Sequence, residues 1–281
     1  MALFRRKTGS RTDAQAFRKP REYFYLGESL AMTRLKSGHF IYVDPLEESV
    51  CSHLIAHGDW EPWARETVLD LVKAGDHVLE IGGHVGYYTL GLAAKVGPTG
   101  SVTTFEANPR LAALSQRSVR FNGYDGWTNV IQKAVSDAAG KIRFTISRQF
   151  AGGGHLYISD GMLAADAEAI EVESVRIDDL ELPPIKLIRI DAEGSEGVIL
   201  GGASQLLSKP DIIICMEWDR IQLASRTDTN LFIDELAEKG FRFWQIMVRG
   251  GVVERDVETV KTLPACDLVL ARTNIFAGNA I

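Results

Sequence analysis

The sequence predicts an α/β fold, a mainly parallel β-sheet with helices on both faces. Three observations carry this. Short apolar β-prone runs alternate with helical stretches from residue 77 onward; the first run ends in a glycine turn that opens a helix; and 46% hydrophobic against 24% charged residues over 281 positions supplies the core that such a domain needs. The runs are 77–81 (HVLEI), 101–105 (SVTTF), 129–132, 186–190 (KLIRI), 212–216 and 267–271. A helix is expected over 87–95, closed by Gly97-Pro98. The next opens at Asn108-Pro109, a capping side chain followed by proline at the first helical position, carries Leu111, Leu114 and Phe121, and ends at Asn122-Gly123. Ahead of the sheet, 61–74 reads as a helix with Pro62 in its first turn, Ala64, Val68, Leu71 and Val72 on one face, and Gly75 at its end. Between the third and fourth strands, 141–146 and 170–177 alternate with period two and flank the glycine-rich AGGGHLYISDGMLAADAEA. That pattern predicts a hairpin-like insertion with a lid over one rim of the sheet.

Thirty-one Lys and Arg against 37 Asp and Glu give a net charge of −6, which argues against nucleic acid or an anionic membrane as partner. The apolar runs are too short for a membrane span. Residues 1–20 are basic and lack the apolar stretch of a secretory signal, so they read as a disordered arm. Cys51, Cys215 and Cys266 lie far apart without ligand spacing, as buried thiols of a cytoplasmic protein do. Residues 21–60 read as a small N-terminal cap, and the aromatics Tyr23, Phe24, Tyr25 and Tyr157 as core rather than a stacking surface. A homo-oligomer is left open.

The most informative segment is VLEIGGHVGY, residues 78–87. A strand running into a glycine turn and then a helix is a nucleotide-binding first unit: glycine lets the backbone approach a ligand, and the helix start offers unpaired N–H groups. The second strand ends at Glu106, placed to accept ribose hydroxyls. A nicotinamide dinucleotide and S-adenosylmethionine both fit this outline. The dinucleotide fingerprint needs a second glycine where His84 stands, and Glu80 suits the ammonium of a methionine moiety, so S-adenosylmethionine is favoured and a nicotinamide-dependent oxidoreductase is the alternative.

In order along the chain, EIGGHVGYYTL, TFEANPR, KAVSD, SVRIDDL and RIDAEGSEGVILGG resemble the FkbM family of S-adenosylmethionine-dependent methyltransferases over roughly residues 55–220, with IDAEGSE the most specific element. The resemblance implies a class I (Rossmann-like) methyltransferase fold with a seven-stranded sheet, occupying 61–281. It also implies O-methylation of a hydroxyl on a sugar, glycolipid or natural product. The family's turn reads D-x-G-A-N-x-G; here Glu80, Gly83 and His84 stand at the Asp, Ala and Asn positions. By the same resemblance Glu80, Gly82, Gly83, His84 and Gly86 shape the methionine pocket, Glu106 and Ala107 flank the ribose, Ala134 and Val135 lie against adenine, and Asp191 closes the cofactor site. Ser136 and Asp137 either cap a turn or bond the adenine amino group.

Methyl transfer to an alcohol needs a proton acceptor or a metal that acidifies the hydroxyl. Asp191 ends the fourth strand, Glu193 follows it, and Glu217 ends the fifth, so all three are expected on one rim. Asp191, Glu193 and His155, the last in the expected lid, are the candidate catalytic residues. Asp191 and Glu217 are the candidates for a divalent cation, which nothing else in the sequence supports. Two plainer readings stand beside these: Glu193 caps the helix near Ser195-Glu196, and Trp60 of Trp60-Glu61, which matches a Trp-Glu of the family, packs against the cap, with Glu61 left able to face the cofactor. His39, His53 and His57 carry no assignment. A third functional class, a catalytically inactive S-adenosylmethionine-binding module, is disfavoured by the intact Glu80, Glu106 and Asp191.

Overall fold

The computed structural model describes residues 22–156 and 167–277, so the basic arm and Tyr157 lie outside the described residues. An antiparallel sheet of β1 (Tyr23–Gly27), β2 (Leu30–Arg34) and β3 (Phe40–Val43) comes first, followed by α1 (Val50–His57) and α2 (Pro62–Asp70). Then come β4 (His77–Ile81), α3 (Tyr87–Val96), β5 (Ser101–Phe105), α4 (Pro109–Phe121) and β6 (Thr128–Ile131). The insertion holds β7 (Ala134–Ser136), β8 (Gly140–Ser147), β9 (His155–Leu156) and β10 (Ala167–Arg176). The remainder is β11 (Ile185–Ile190), α5 (Glu196–Gly201), α6 (Ser204–Leu207), β12 (Ile213–Trp218), α7 (Arg220–Leu223), α8 (Thr229–Glu238), β13 (Arg242–Ile246), β14 (Val252–Arg255), α9 (Val257–Val260) and β15 (Cys266–Ala271).

The main sheet runs β6-β5-β4-β11-β12-β15-β13-β14. The first five strands are mutually parallel, β15 enters antiparallel between β12 and β13, and β14 pairs antiparallel with β13. This is the expected seven-stranded class I sheet, extended by β14 as an eighth strand. Chain order reverses between β4 and β11, which opens a crevice at the carboxyl ends of those strands.

Strands sandwiched between helix layers must be largely apolar on both sides, and β4 and β11 are, with Glu80 and Arg189 the buried exceptions. Val78, Leu187, Cys215 and Val269 face one side with Leu90 and Leu92 of α3 and Leu111 of α4, while Leu79, Ile188, Ile214 and Leu270 face the other with Ile199 of α5 and Ile233 of α8. Helix α4 starts where Asn108 accepts hydrogen bonds from the Arg110 and Leu111 amides at 3.0 and 3.4 Å. Removing this cap in Asn108→Ala is expected to cost about 1 kcal/mol, read from urea melts as a lower midpoint at unchanged slope.

Helix α2 ends at Asp70, short of the expected 74, because Leu71 and Val72 turn off in tight bonds to Val68 and Leu69 carbonyls. Ala31, Ile41, Val43, Cys51 and Leu54 are fully buried in the same apolar cluster as α3 and α4. The Tyr42 amide donates to Ser118 Oγ of α4 at 2.9 Å, which seats β3 on the domain. Tyr23, Phe24 and Tyr25 were expected as core and are exposed instead, Tyr25 at 62%, because β1 is the outer strand of its sheet and only Phe24 reaches a neighbouring ring, that of Phe40. Cys51 and Cys215 are buried free thiols; Cys266 is half-buried and free.

The insertion is more than a hairpin. β10 pairs antiparallel with β8 from Ala167 opposite Ser147 to Ser174 opposite Gly140, then continues in parallel beside β7, in a four-stranded sheet of order β7-β10-β8-β9. Among the described residues no helix is long and apolar enough to cross a membrane.

Candidate active site

A cavity of about 320 Å³ occupies the crevice at the carboxyl ends of β4, β5, β11 and β12. Gly82 begins its floor. At φ +82° it adopts the left-handed region, its amide donates to the Phe105 carbonyl at 2.9 Å, and a Cβ there would overlap the Asp191 carbonyl oxygen. Gly82, Gly83, His84, Glu106, Ala107, Ala134, Val135 and Asp191 all line the cavity, whereas Glu80 and Gly86 do not. Gly86 is needed for packing: its Cβ would meet Ser115 Oγ of α4 at 2.7 Å. Glu80 is fully buried beneath the turn, where its Oε2 accepts from Thr89 Oγ1 at 2.6 Å and Thr104 Oγ1 at 2.9 Å.

His84 sits at φ +48° with its amide donating to Glu106 Oε2 at 2.7 Å. Both its ring nitrogens are buried without a hydrogen-bond partner among the described residues, and burial lowers its pKa, which leaves a neutral imidazole. Glu106 Oε1 accepts from the Asn108 amide at 2.8 Å; burial pushes this carboxyl up to about 7. Ala134 and Val135 of β7 join Phe105, Leu111 and Phe144 in an apolar wall. Ser136, at the end of β7, donates to Asp137 Oδ1 at 3.1 Å, and both stand outside the cavity.

The register of three strands assembles a row of acids. Ile190 pairs with Met216, which sets Asp191 beside Glu217, and Glu217 pairs with Asp267. Asp191, Glu193 and Glu217 each offer a carboxylate oxygen within 4.8 Å of one another. Burial and then the Asp191 charge push Glu193 up to about 8 and Glu217 to about 10; burial and then Glu61 push Asp267 up to about 7. Glu61, Glu193 and His84 are non-glycine residues at positive φ, and all three line this cavity. Strain of this kind persists where the surroundings dictate the conformation, commonly at working sites. The helix-cap reading of Glu193 is not what forms: it is Glu196 whose Oε1 accepts from the Ala192 amide at 2.8 Å. His155 does not reach the cavity. Its Nδ1 bonds the Gly153 carbonyl at 2.8 Å, and the loop contributes Ala151–Gly153 and Gly154 to the lining instead.

Residues 80–243, more than half of the chain, match the family model described as the Methyltransferase FkbM domain. The chain belongs to the FkbM methyltransferase family. A 90-residue stretch is 34% identical to the transmembrane O-methyltransferases of Homo sapiens and Pan troglodytes, covering 31% of this chain and 30% of each of those proteins, so the match spans under a third of their length. Two solved structures of similar fold are an FkbM methyltransferase from Methylobacillus flagellatus (13% identity, TM-score 0.44, 77% of this chain and 51% of that one) and an O-methyltransferase from Bacillus cereus in complex with SAH (16% identity, TM-score 0.42, 78% and 85%).

The residues of this crevice fit S-adenosylmethionine. The Ala134–Val135 wall is apolar enough for adenine, Glu106 is a buried carboxylate of the lining bonded to the turn, and the unpaired His84 nitrogens and the acids Asp191, Glu193 and Glu217 face a cavity suited to a cationic, polar end. Arg189 and Tyr88 line the site, and Asp267 stands behind it beside Glu217; all three escape sequence-based expectation. Arg189 carried a signal: two residues before Asp191 in the same strand, it must share the face of that acid.

The acid row makes stability pH-dependent. Each of these folded-state values lies above the unfolded one, so the native state keeps protons that the unfolded chain releases; the contribution of these groups to stability is full at low pH and falls as pH rises from about 4 to about 10. Glu217→Gln, which replaces a protonated carboxyl by a neutral isostere, is expected to melt like the native protein at pH 5 and about 2–4 °C higher at pH 8, as about 1 kcal/mol would give. Scanning calorimetry at the two pH values reads it.

Proposed function

We propose that this enzyme is an O-methyltransferase acting on a hydroxyl of a sugar, glycolipid or natural-product acceptor. The observation that supports this is the carboxylate trio Asp191, Glu193 and Glu217 on the cavity wall next to the glycine turn, because an alcohol must lose a proton as it is methylated. Bound S-adenosylmethionine supplies an electrophilic methyl group. Glu106 receives the ribose hydroxyls, Ala134 and Val135 the adenine, and Gly82 to His84 the methionine end. Glu193 is the proton acceptor, tuned by burial close to neutral pH, and Asp191 orients the hydroxyl. His155, expected from the sequence as a base, has no part in this reading. Direct carboxylate chemistry is favoured over a divalent cation because Asp191 Oδ2 is already bonded to Arg189 Nη2 at 2.6 Å.

The test is methyl-labelled S-adenosylmethionine offered with a panel of glycosides, glycolipids and polyketide alcohols, with and without excess chelator. Label on an acceptor oxygen in both arms is the expected result. Label on nitrogen or carbon refutes the reaction class, and chelator-sensitive transfer restored by Mg²⁺ transfers the role to a metal held by Asp191, Glu193 and Glu217. At a hundred times its dissociation constant the cofactor stabilises the fold by about 2.7 kcal/mol, so a thermal shift with S-adenosylmethionine and none with NADH excludes the oxidoreductase alternative.

A further inference from the structure

A guanidinium in the middle strand of a parallel sheet is unusual, since burying a charge is costly unless it is fully paired. Arg189 is only 8% exposed and stands opposite Glu80 on β4 and Cys215 on β12. Its Nη2 donates to Asp191 Oδ2 at 2.6 Å, its Nη1 donates to the Gly82 carbonyl at 3.3 Å, and its Cζ lies 3.7 Å from the centre of the Tyr88 ring. Nη1 is 3.7 Å from Glu80 Oε1, an ion pair beyond hydrogen-bond reach; the two threonine hydroxyls both serve Oε2, and Oε1 has no hydrogen-bond partner among the described residues.

The two short contacts therefore go to cavity-lining groups on different strands, the glycine turn after β4 and the acid that ends β11. We propose that Arg189 is a positioning residue for S-adenosylmethionine: it ties the Gly82 carbonyl to the Asp191 carboxylate and so fixes the pocket that receives the cationic methionine end. A planar fork can hold two acceptors at once while stacked on a ring; an ammonium is a point charge and cannot do both. The partners explain the choice of residue. Were Arg189 only a counter-charge for Glu80, lysine would serve equally well, and the bond to Gly82 would have no use.

This inference rests on the cofactor and not on the acceptor proposed above. The experiment is isothermal titration of S-adenosylmethionine and S-adenosylhomocysteine into the native protein, Arg189→Lys, Asp191→Asn and the double variant, with melting temperatures alongside. Arg189→Lys keeps the charge and is expected to fold, yet to weaken both ligands about tenfold, and Asp191→Asn to do the same. Because the pair acts as a unit, the double variant is expected to lose about tenfold as well and not about a hundredfold. Native-like affinity in a folded Arg189→Lys overturns the proposal, as does multiplicative loss in the double variant or a fall in melting temperature with affinities unmoved. If Arg189→Lys does not fold, Glu80→Gln decides: undiminished affinity keeps the role with Gly82 and Asp191, and a tenfold loss moves it to Glu80. Failure of the native protein to bind either ligand would strike at the cofactor itself, a result distinct from all of these.

Discussion

Gly82→Ala is expected to abolish measurable binding of S-adenosylmethionine and to destabilise the protein. Two costs combine. A Cβ at φ +82° is held in a region that L-residues populate at a cost of roughly 1–2 kcal/mol. The same Cβ overlaps the Asp191 carbonyl oxygen, so β4 and β11 must part where the Asp191 amide bonds the Ile81 carbonyl at 3.0 Å. Overpacking of this kind costs about 1–3 kcal/mol more. The sum, about 2–5 kcal/mol, falls on the walls of the cofactor pocket, and each 1.4 kcal/mol is a tenfold loss of affinity. Gly123→Ala is the control. It carries a similar φ of +74° with nothing within 4 Å of the added carbon, so it should lower the melting temperature slightly and leave binding alone. Titration calorimetry on both variants reads the difference, and tight binding by Gly82→Ala would show that the turn is not part of the cofactor site.

Glu193→Gln is expected to lower turnover by about 10²- to 10⁴-fold, the usual worth of a positioned proton acceptor, with cofactor affinity nearly unchanged. The pH dependence makes this more specific. A base must be deprotonated to act, and burial together with Asp191 holds Glu193 at about 8, so the native rate should climb through pH 6–8 and level off above. Asp191→Asn removes a neighbouring negative charge that raises that value, so its residual activity should climb at lower pH. In Glu193→Gln the climb should vanish. A rate-versus-pH profile that keeps the same limb in the glutamine variant would reassign the base, with Glu217 next in line.

The stretch from β4 to α4 was legible because local rules and burial agree there. HVLEI is apolar where both faces are covered, and Asn108-Pro109 does at α4 what a cap and a first-turn proline do anywhere. β13 was missed because Phe243 and Trp244 are buried in succession, which defeats period-two reading, and β14 is an edge strand with no buried residue. The first three strands were missed because their order is set by packing on α4 and not by their own pattern. Within the site the glycine turn was readable, since positive φ and close approach leave only glycine at position 82. So was most of the acid row, because Asp191, Glu193 and Glu217 follow from where two strands end, whereas Asp267 joins it only through the pairing of β12 with β15, and register belongs to pairs of strands. His155 illustrates the remaining gap: a loop position names a residue near the rim, and its side chain turned back onto its own loop.

The place of β15 bears on how the protein comes to be made. β12 and β13 precede it in synthesis, and it enters between them: β12 already pairs with β11, but β13 joins the sheet only through β15. Until residues 266–271 emerge, β12 presents an unpaired edge and the β13–β14 hairpin has nowhere to dock, and open strand edges are templates for association with other chains. Pairing over such long separations is also slow. A nascent chain halted or clipped just ahead of Cys266 would therefore carry an almost finished cofactor crevice on a sticky half-sheet, and quality control in the cell would meet it as an aggregating species and not as a weakened enzyme.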